Sequence, residues 1–302
     1  MKKYIASGGG NATRDPYVLL HENKYYRCFA SEGNTISLAC AESLAELAKA
    51  NGRVVYTAEP NTPWSRELWA PELHVIDGKC YIYVACDDGE NKNHRMYVLE
   101  NHSNDPMKPY TMHGKITDAT DKWAIDGTVL LHQSGRYFVW SGWEGGVNVC
   151  QNLYIAKMKD PFTLSTPRVC ISHPEYEWEK RGATGKEESP FINEGAFCFE
   201  KDGHTYITYS ASGSWCKDYC IALLSLVGDD PMDPAAWQKS SSPLLVSNGQ
   251  IKGAGHCSIV KEADRLQLFF HAWDKDEKNV VWNTVSVWQA ELVERDDEFC
   301  IQ

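Results

Sequence analysis

The stretch "WAIDGTVLLHQSGRYFVWSGW", Trp123 to Trp143, decides the fold. A β-branched and apolar run to Leu131, a Gln-Ser-Gly turn at 133–135 and a second, more aromatic run predict an antiparallel hairpin. One residue breaks the pattern, because Asp126 places an ionisable group inside the first strand. Four other segments share the turn and the aromatic strand: "HENKYYRCFA" from His21, "IDGKCYIYVA" from Ile76, "KDGHTYITYS" from Lys201 and "EADRLQLFFHA" from Glu262. Measured at Asn23, Gly78, Gly135, Gly203 and Asp264, the steps are 55, 57, 68 and 61 residues. A short apolar run precedes each turn, and a third follows after a loop: "TISLACAES", "HRMYVLEN", "NLYIAKMKD", "YCIALLSLV" and "NTVSVWQAELV".

Five units of at least three strands each predict a radial array of small sheets. The expectation is an all-β, five-bladed β-propeller spanning residues 1–302 as a single domain, its blades led by strands near 15, 72, 126, 194 and 256. A jelly roll or sandwich is the structural alternative. Cys40 to Gly52, "CAESLAELAKANG", looks helical and is expected to connect two blades.

The strands that enter each repeat carry a second regularity. Asp15, Asp126, Glu194 and His256 each lie nine residues before Lys24, Gly135, Gly203 and Arg265, respectively. The second repeat places Trp69 at that offset and Glu72 three residues later. The innermost strand of a propeller blade lines the central axis, so equivalent positions on different blades converge. Three carboxylates and a histidine would then surround one funnel. Mutual repulsion and burial would spread the carboxyl pKa values and leave one protonated near neutral pH. Such a pair can expel a leaving group and activate water, as glycosidic hydrolysis requires; binding a divalent cation is the rival use.

Composition narrows the partners. Formal net charge is −11 and no Lys/Arg block is present, which argues against nucleic acid and anionic membranes. No run approaches the roughly 18 apolar residues of a membrane helix, and "MKKYIASGGGNATRDP" has no apolar signal core, so a cytoplasmic protein is expected. The 11 cysteines include no Cys-x-x-Cys pair, and several sit in strand-like runs, which suits free buried thiols better than a zinc site. The 11 Trp and 15 Tyr suit both sheet packing and sugar-binding surfaces.

From "RDPYV", "LWAPELHVIDGKCYIYVA", "WAIDGTVLL", "INEGAFCFEKDGHTYITYSAS" and "KGAGHCSIV", in that order, the chain resembles glycoside hydrolase family 43 between about Thr13 and Val293. The resemblance implies a five-bladed propeller that hydrolyses glycosides with inversion. By position it makes Asp15 the general base, Glu194 the general acid, and Asp126 the carboxylate that orients the acid and raises its pKa. Inversion would set the base and acid carboxyls about 6.5–9.5 Å apart. His256 matches a family histidine reaching a channel that often holds hydrated calcium or a similar ion; a metal is expected there mostly through water, and none is required for chemistry. Trp69, Trp143, Glu72 and Trp215 are the candidate sugar-binding residues. Two departures stand out. Gly195-Ala196 and Gly253-Ala254 replace the Gly-Pro of several relatives, and no arginine lies between Lys278 and Val293. Within the family the pattern looks most like exo-acting α-L-arabinofuranosidases trimming small pentose oligosaccharides, with β-xylosidases next. A fructan-cleaving propeller would put its Arg-Asp-Pro later in the chain, and a non-catalytic sugar-binding propeller would be marked by a lost carboxylate.

Overall fold

Each repeat folds into its own antiparallel sheet. The computed structural model describes residues 1–7, 10–277, 281–296 and 298–302, without the side chains of residues 10 and 11. The first blade orders Tyr17–His21, Lys24–Ser31, Thr35–Ala41 and Arg53–Thr57, and the second Arg66–Ile76, Lys79–Asp87, Arg95–Asn101 and Thr111–Lys115. The third pairs Ala124–His132, Gly135–Trp143 and Cys150–Asp160, with Val169–Ser172 outermost. The fourth runs Phe191–Lys201, His204–Ala211, Cys220–Leu226, Trp237–Lys239. The fifth begins Ile251–Glu262, Arg265–Asp274, Ser286–Arg295.

The first two strands of every blade meet in a two-residue turn, as the His21↔Lys24, Ile76↔Lys79 and Lys201↔His204 pairs show. Two left-handed residues in a row, such as Asp77-Gly78 and Asp202-Gly203, match the right-handed twist of the strands they join. The five lead strands touch one another in a closed ring, first to second and on round from fifth back to first. That ring makes the sheets the blades of a five-bladed propeller. Apolar side chains fill the gaps between neighbouring sheets: Tyr83, Val98, Phe138 and Trp140 between the second and third, Val139, Ile155, Ile207 and Tyr209 between the third and fourth.

Two pairings escape the repeat. Lys2–Ile5 joins the outside of the fifth blade by pairing with Ser286–Arg295, so the chain's start closes the ring at its end. Blades three and four are stitched by a parallel step, Cys150↔Phe191 and Gln151↔Ile192. The expected helical connector is a correction. Within 40–52 helix is confined to Leu44–Leu47, capped by the Ser43 side chain accepting from the Glu46 N–H, and it joins the third and fourth strands of the first blade rather than two blades. The reason is local: Cys40 and Ala41 are held in the sheet opposite Tyr26 and Tyr25, which leaves room for one turn that buries Leu47.

Candidate active site

At the head of the lead strands the ladder breaks. Register shifts fall between Trp69 and Glu72, Ile125 and Thr128, Glu194 and Phe197, and on both sides of Gly255. Left-handed backbone recurs there at Asp15 (φ 44°), Ala70 (44°), Asp126 (54°), Gly195 (59°) and His256 (38°). A bulge of this kind turns a side chain away from the alternation of its strand. Asp126 sits in a strand because the strand is bent to present it.

The side chains so presented share one cavity of about 460 Å³, lined by Asp15, Asp126, Glu194 and His256 together with Arg14, Trp69, Trp123 and Trp215. Its hydrogen bonds are specific. The Gly195 N–H donates to Asp126 Oδ2 at 2.9 Å, so the third blade's aspartate grips the residue beside Glu194. The Tyr219 hydroxyl donates to Glu194 Oε1 at 2.8 Å. His256 Nδ1 lies 3.3 Å from Asp15 Oδ1 and 3.7 Å from Asp126 Oδ2, and its backbone N–H donates to Ser210 Oγ at 2.7 Å.

These surroundings drive the carboxyl groups apart. Burial pushes Glu194 up, the charge of Asp126 adds to it, and the result is about 8 despite the Tyr219 hydrogen bond. Burial also raises Asp126, to about 6, against the opposing charge of His256. For Asp15 burial is outweighed by the charge of His256, by His271 and by Arg14, which bring it down to about 2. His256 is itself raised: burial works against its charged form, but Asp15 and then Asp126 overcome it. At neutral pH one carboxylic acid and one carboxylate therefore face the same space, the pairing that acid–base catalysis needs.

The profile described as "Glycosyl hydrolases family 43" matches residues 10–290. The chain belongs to that family. It is 33% identical to an extracellular exo-α-(1→5)-L-arabinofuranosidase of Streptomyces chartreusis over 85% of this chain and 79% of that protein. It is likewise 33% identical to α-L-arabinofuranosidase 43 of Humicola insolens, of which it covers 54%. The crystal structure of α-L-arabinofuranosidase from Lactobacillus brevis superposes with a TM-score of 0.86 at 30% identity, covering 98% of this chain and 95% of that one. The protein is a glycoside hydrolase of family 43, and its substrate is carbohydrate.

Of the side chains expected to meet sugar in this family 43 member, Trp69 and Trp215 do line the cavity. Trp69 stacks on His94 at 4.0 Å between ring centroids, and Trp215 anchors its indole N–H on the Gly182 carbonyl at 2.9 Å. Trp143 is a correction. It is 4% exposed and lies flat against Trp123 at 4.7 Å, and Trp123 is the ring that faces the cavity. Glu72 is a second correction. It is 3% exposed, hydrogen-bonded to His74 Nε2 at 2.8 Å, and is not among the residues that line the cavity.

Tyr219, Trp123, Arg14 and His271 were missed. Arg14 lines the cavity from the first blade, with its guanidinium 5.3 Å above the Trp282 ring. Its signal was adjacency, since it precedes Asp15. Among the described residues no three His, Cys, Asp or Glu side chains are grouped to hold a metal. The Nδ1 edge of His256 is committed to two carboxylates. A hard cation prefers six to eight oxygens, so these residues do not make a protein cage for one.

Proposed function

We propose that this family 43 hydrolase releases terminal α-L-arabinofuranose from small arabino-oligosaccharides by single displacement with inversion. The observation that carries this reading is the opposite displacement of two carboxyls at one cavity, Asp15 to about 2 and Glu194 to about 8. Glu194 holds a proton at neutral pH and delivers it to the leaving oxygen as the glycosidic bond breaks. Asp15, ionised, takes a proton from the water that attacks the anomeric carbon from the opposite face. Asp126 anchors the backbone beside the acid through the Gly195 N–H, and its charge keeps the acid's pKa raised. His256, set between Asp15 and Asp126, offsets part of their negative charge and so permits both to sit in one pocket. The names of the relatives at 30–33% identity support arabinofuranose as the sugar, and a cavity of about 460 Å³ suits one sugar and part of its neighbour.

Hydrolysis of p-nitrophenyl α-L-arabinofuranoside and β-D-xylopyranoside by the wild type, Glu194→Gln and Asp15→Asn tests the reading. The arabinoside should be preferred, with both variants slower by about 10³-fold or more, and proton NMR should show the β-anomer of arabinose formed first. A xyloside preference would move the assignment to β-xylosidase; retained activity in both variants would remove the catalytic roles.

A further inference from the structure

We propose that His271 is a positioning residue for the general base, its neutral imidazole accepting the Asp15 backbone N–H and so holding Asp15 in the left-handed conformation that turns its carboxylate into the cavity. This rests on the reading of Asp15 as the base. His271 belongs to the second strand of the fifth blade, directly opposite Gly255 in the bulge that presents His256, while Asp15 belongs to the first blade. The contact therefore crosses the joint at which the propeller ring closes.

The geometry fixes the tautomer. The Asp15 N–H donates to His271 Nδ1 at 3.1 Å, and a ring nitrogen that accepts carries no proton, so the proton of the neutral ring is on Nε2. Among the described residues that Nε2 has no hydrogen-bond partner, and the side chain is 1% exposed. A buried polar atom left unpaired works against folding, and an imidazole retained in that state wants a reason at its other nitrogen. The reason lies at Asp15, which adopts φ 44° without the freedom of glycine.

The ring is also held from its faces. Tyr219 lies parallel to it at 5.8 Å and 15°, and Trp282 meets it edge-on at 5.4 Å. Tyr219 is the donor to Glu194, and Trp282 carries Arg14, whose Nε also donates to the Trp282 carbonyl at 3.4 Å. One imidazole thus packs against the acid's hydrogen-bond donor while it holds the base. The charged groups that face it are Asp15, whose Oδ1 is 3.4 Å from Nδ1, His256 and Arg14. Burial and the two neighbouring positive groups favour the neutral ring against the pull of Asp15.

His271→Leu keeps bulk but removes the acceptor; His271→Asn keeps an oxygen where Nδ1 stands. On p-nitrophenyl arabinofuranoside, His271→Leu should lose kcat by roughly 10²-fold, the scale of a misplaced catalytic group, with KM little changed. His271→Asn should recover most of kcat. A folded His271→Leu with wild-type kcat overturns the proposal, as do Leu and Asn variants equally impaired, the mark of packing alone. If the Leu variant does not fold, imidazole ¹⁵N NMR of the wild type decides: His271, assigned by its loss in His271→Asn, should show the Nε2–H tautomer at pH 7, and an Nδ1–H form or imidazolium sinks the proposal. Asp15→Asn separates the two readings. If it stays fully active the base assignment itself has failed, whereas an inactive Asp15→Asn beside a wild-type-like His271→Leu removes the clamp alone.

Discussion

The two ends of each lead strand both contain left-handed backbone, and they differ in what occupies it. At the hairpin end the strained positions hold Asn23, Gly78 and Gly203 next to acidic turn residues, mostly types that tolerate such dihedrals with least cost, with Ala263 the exception in the fifth blade. At the axial end they hold Asp15, Glu67, Ala70, Asp126 and His256, with glycine at 195 and 253. Turns are left-handed because the chain must reverse. Strand heads are left-handed because a side chain must be presented, and strain of about 1–3 kcal/mol per residue persists only where the surroundings enforce it.

The sharpest way to break that comparison is to separate activity from stability inside the cavity. Both Glu194→Gln and Asp15→Asn should abolish catalysis, but their stabilities should move in opposite directions. The folded pKa of Glu194 is raised from 4.5 to about 8, so the native state binds the extra proton and stability falls as pH rises through that window. Glu194→Gln removes the penalty, and its melting temperature should exceed the wild type's by a margin that widens from pH 4.5 to 8. Asp15 is lowered from 3.8 to about 2, so its ionised form stabilises the fold above pH 4 and that contribution is lost as pH falls towards 2. Asp15→Asn should melt below the wild type at pH 7. Calorimetric scans of both variants that shift the same way at pH 7 would contradict the separation of the two carboxyls.

Next in size is Asp126→Asn. Its lost charge should lower the pKa of Glu194 and move the alkaline limb of kcat/KM to lower pH, with a rate loss of about 10²-fold. An unmoved limb would reduce Asp126 to an anchor for the Gly195 N–H. Tyr219→Phe should act with the opposite sign and more weakly, since removing a donor to the Glu194 carboxylate raises that pKa and moves the limb up.

The same contrast explains what could be read from the residues alone. Asp15, Asp126, Glu194 and His256 were legible because a two-residue turn fixes strand register, so a constant count of nine residues carries from turn to axis. The bulges were not legible. A left-handed residue stands at the nine-residue offset in the first, third and fifth blades but one position later, at Ala70 or Gly195, in the second and fourth, and no composition marks that shift. Tyr219 and His271 reach the site from a loop and a second strand, so no shared offset flags them. Trp123 and Trp143, twenty residues apart, stack face to face; spacing shows that both lie near a strand end but not which one covers the other. Strand closure by Lys2–Ile5 was hidden because four residues without alternation carry no period.

The smallest expected effect lies at the turn end, and it tests whether the two ends are separable at all. Gly203 has φ +81°, and a Cβ built there meets nothing within 4 Å. Gly203→Ala should therefore cost only the left-handed penalty, about 1 kcal/mol, visible as a small drop in denaturant midpoint with kcat, KM and both pH limbs unchanged. Gly255→Ala is its counterpart at the axis, where the same methyl would come 1.7 Å from the Tyr219 ring. There the penalty cannot stay local, because Tyr219 must move and takes with it the hydrogen bond to Glu194 and the face of His271. An alkaline limb that shifts in Gly255→Ala and holds in Gly203→Ala would show that the packing at the strand heads, unlike the turns, is mechanically tied to the acid.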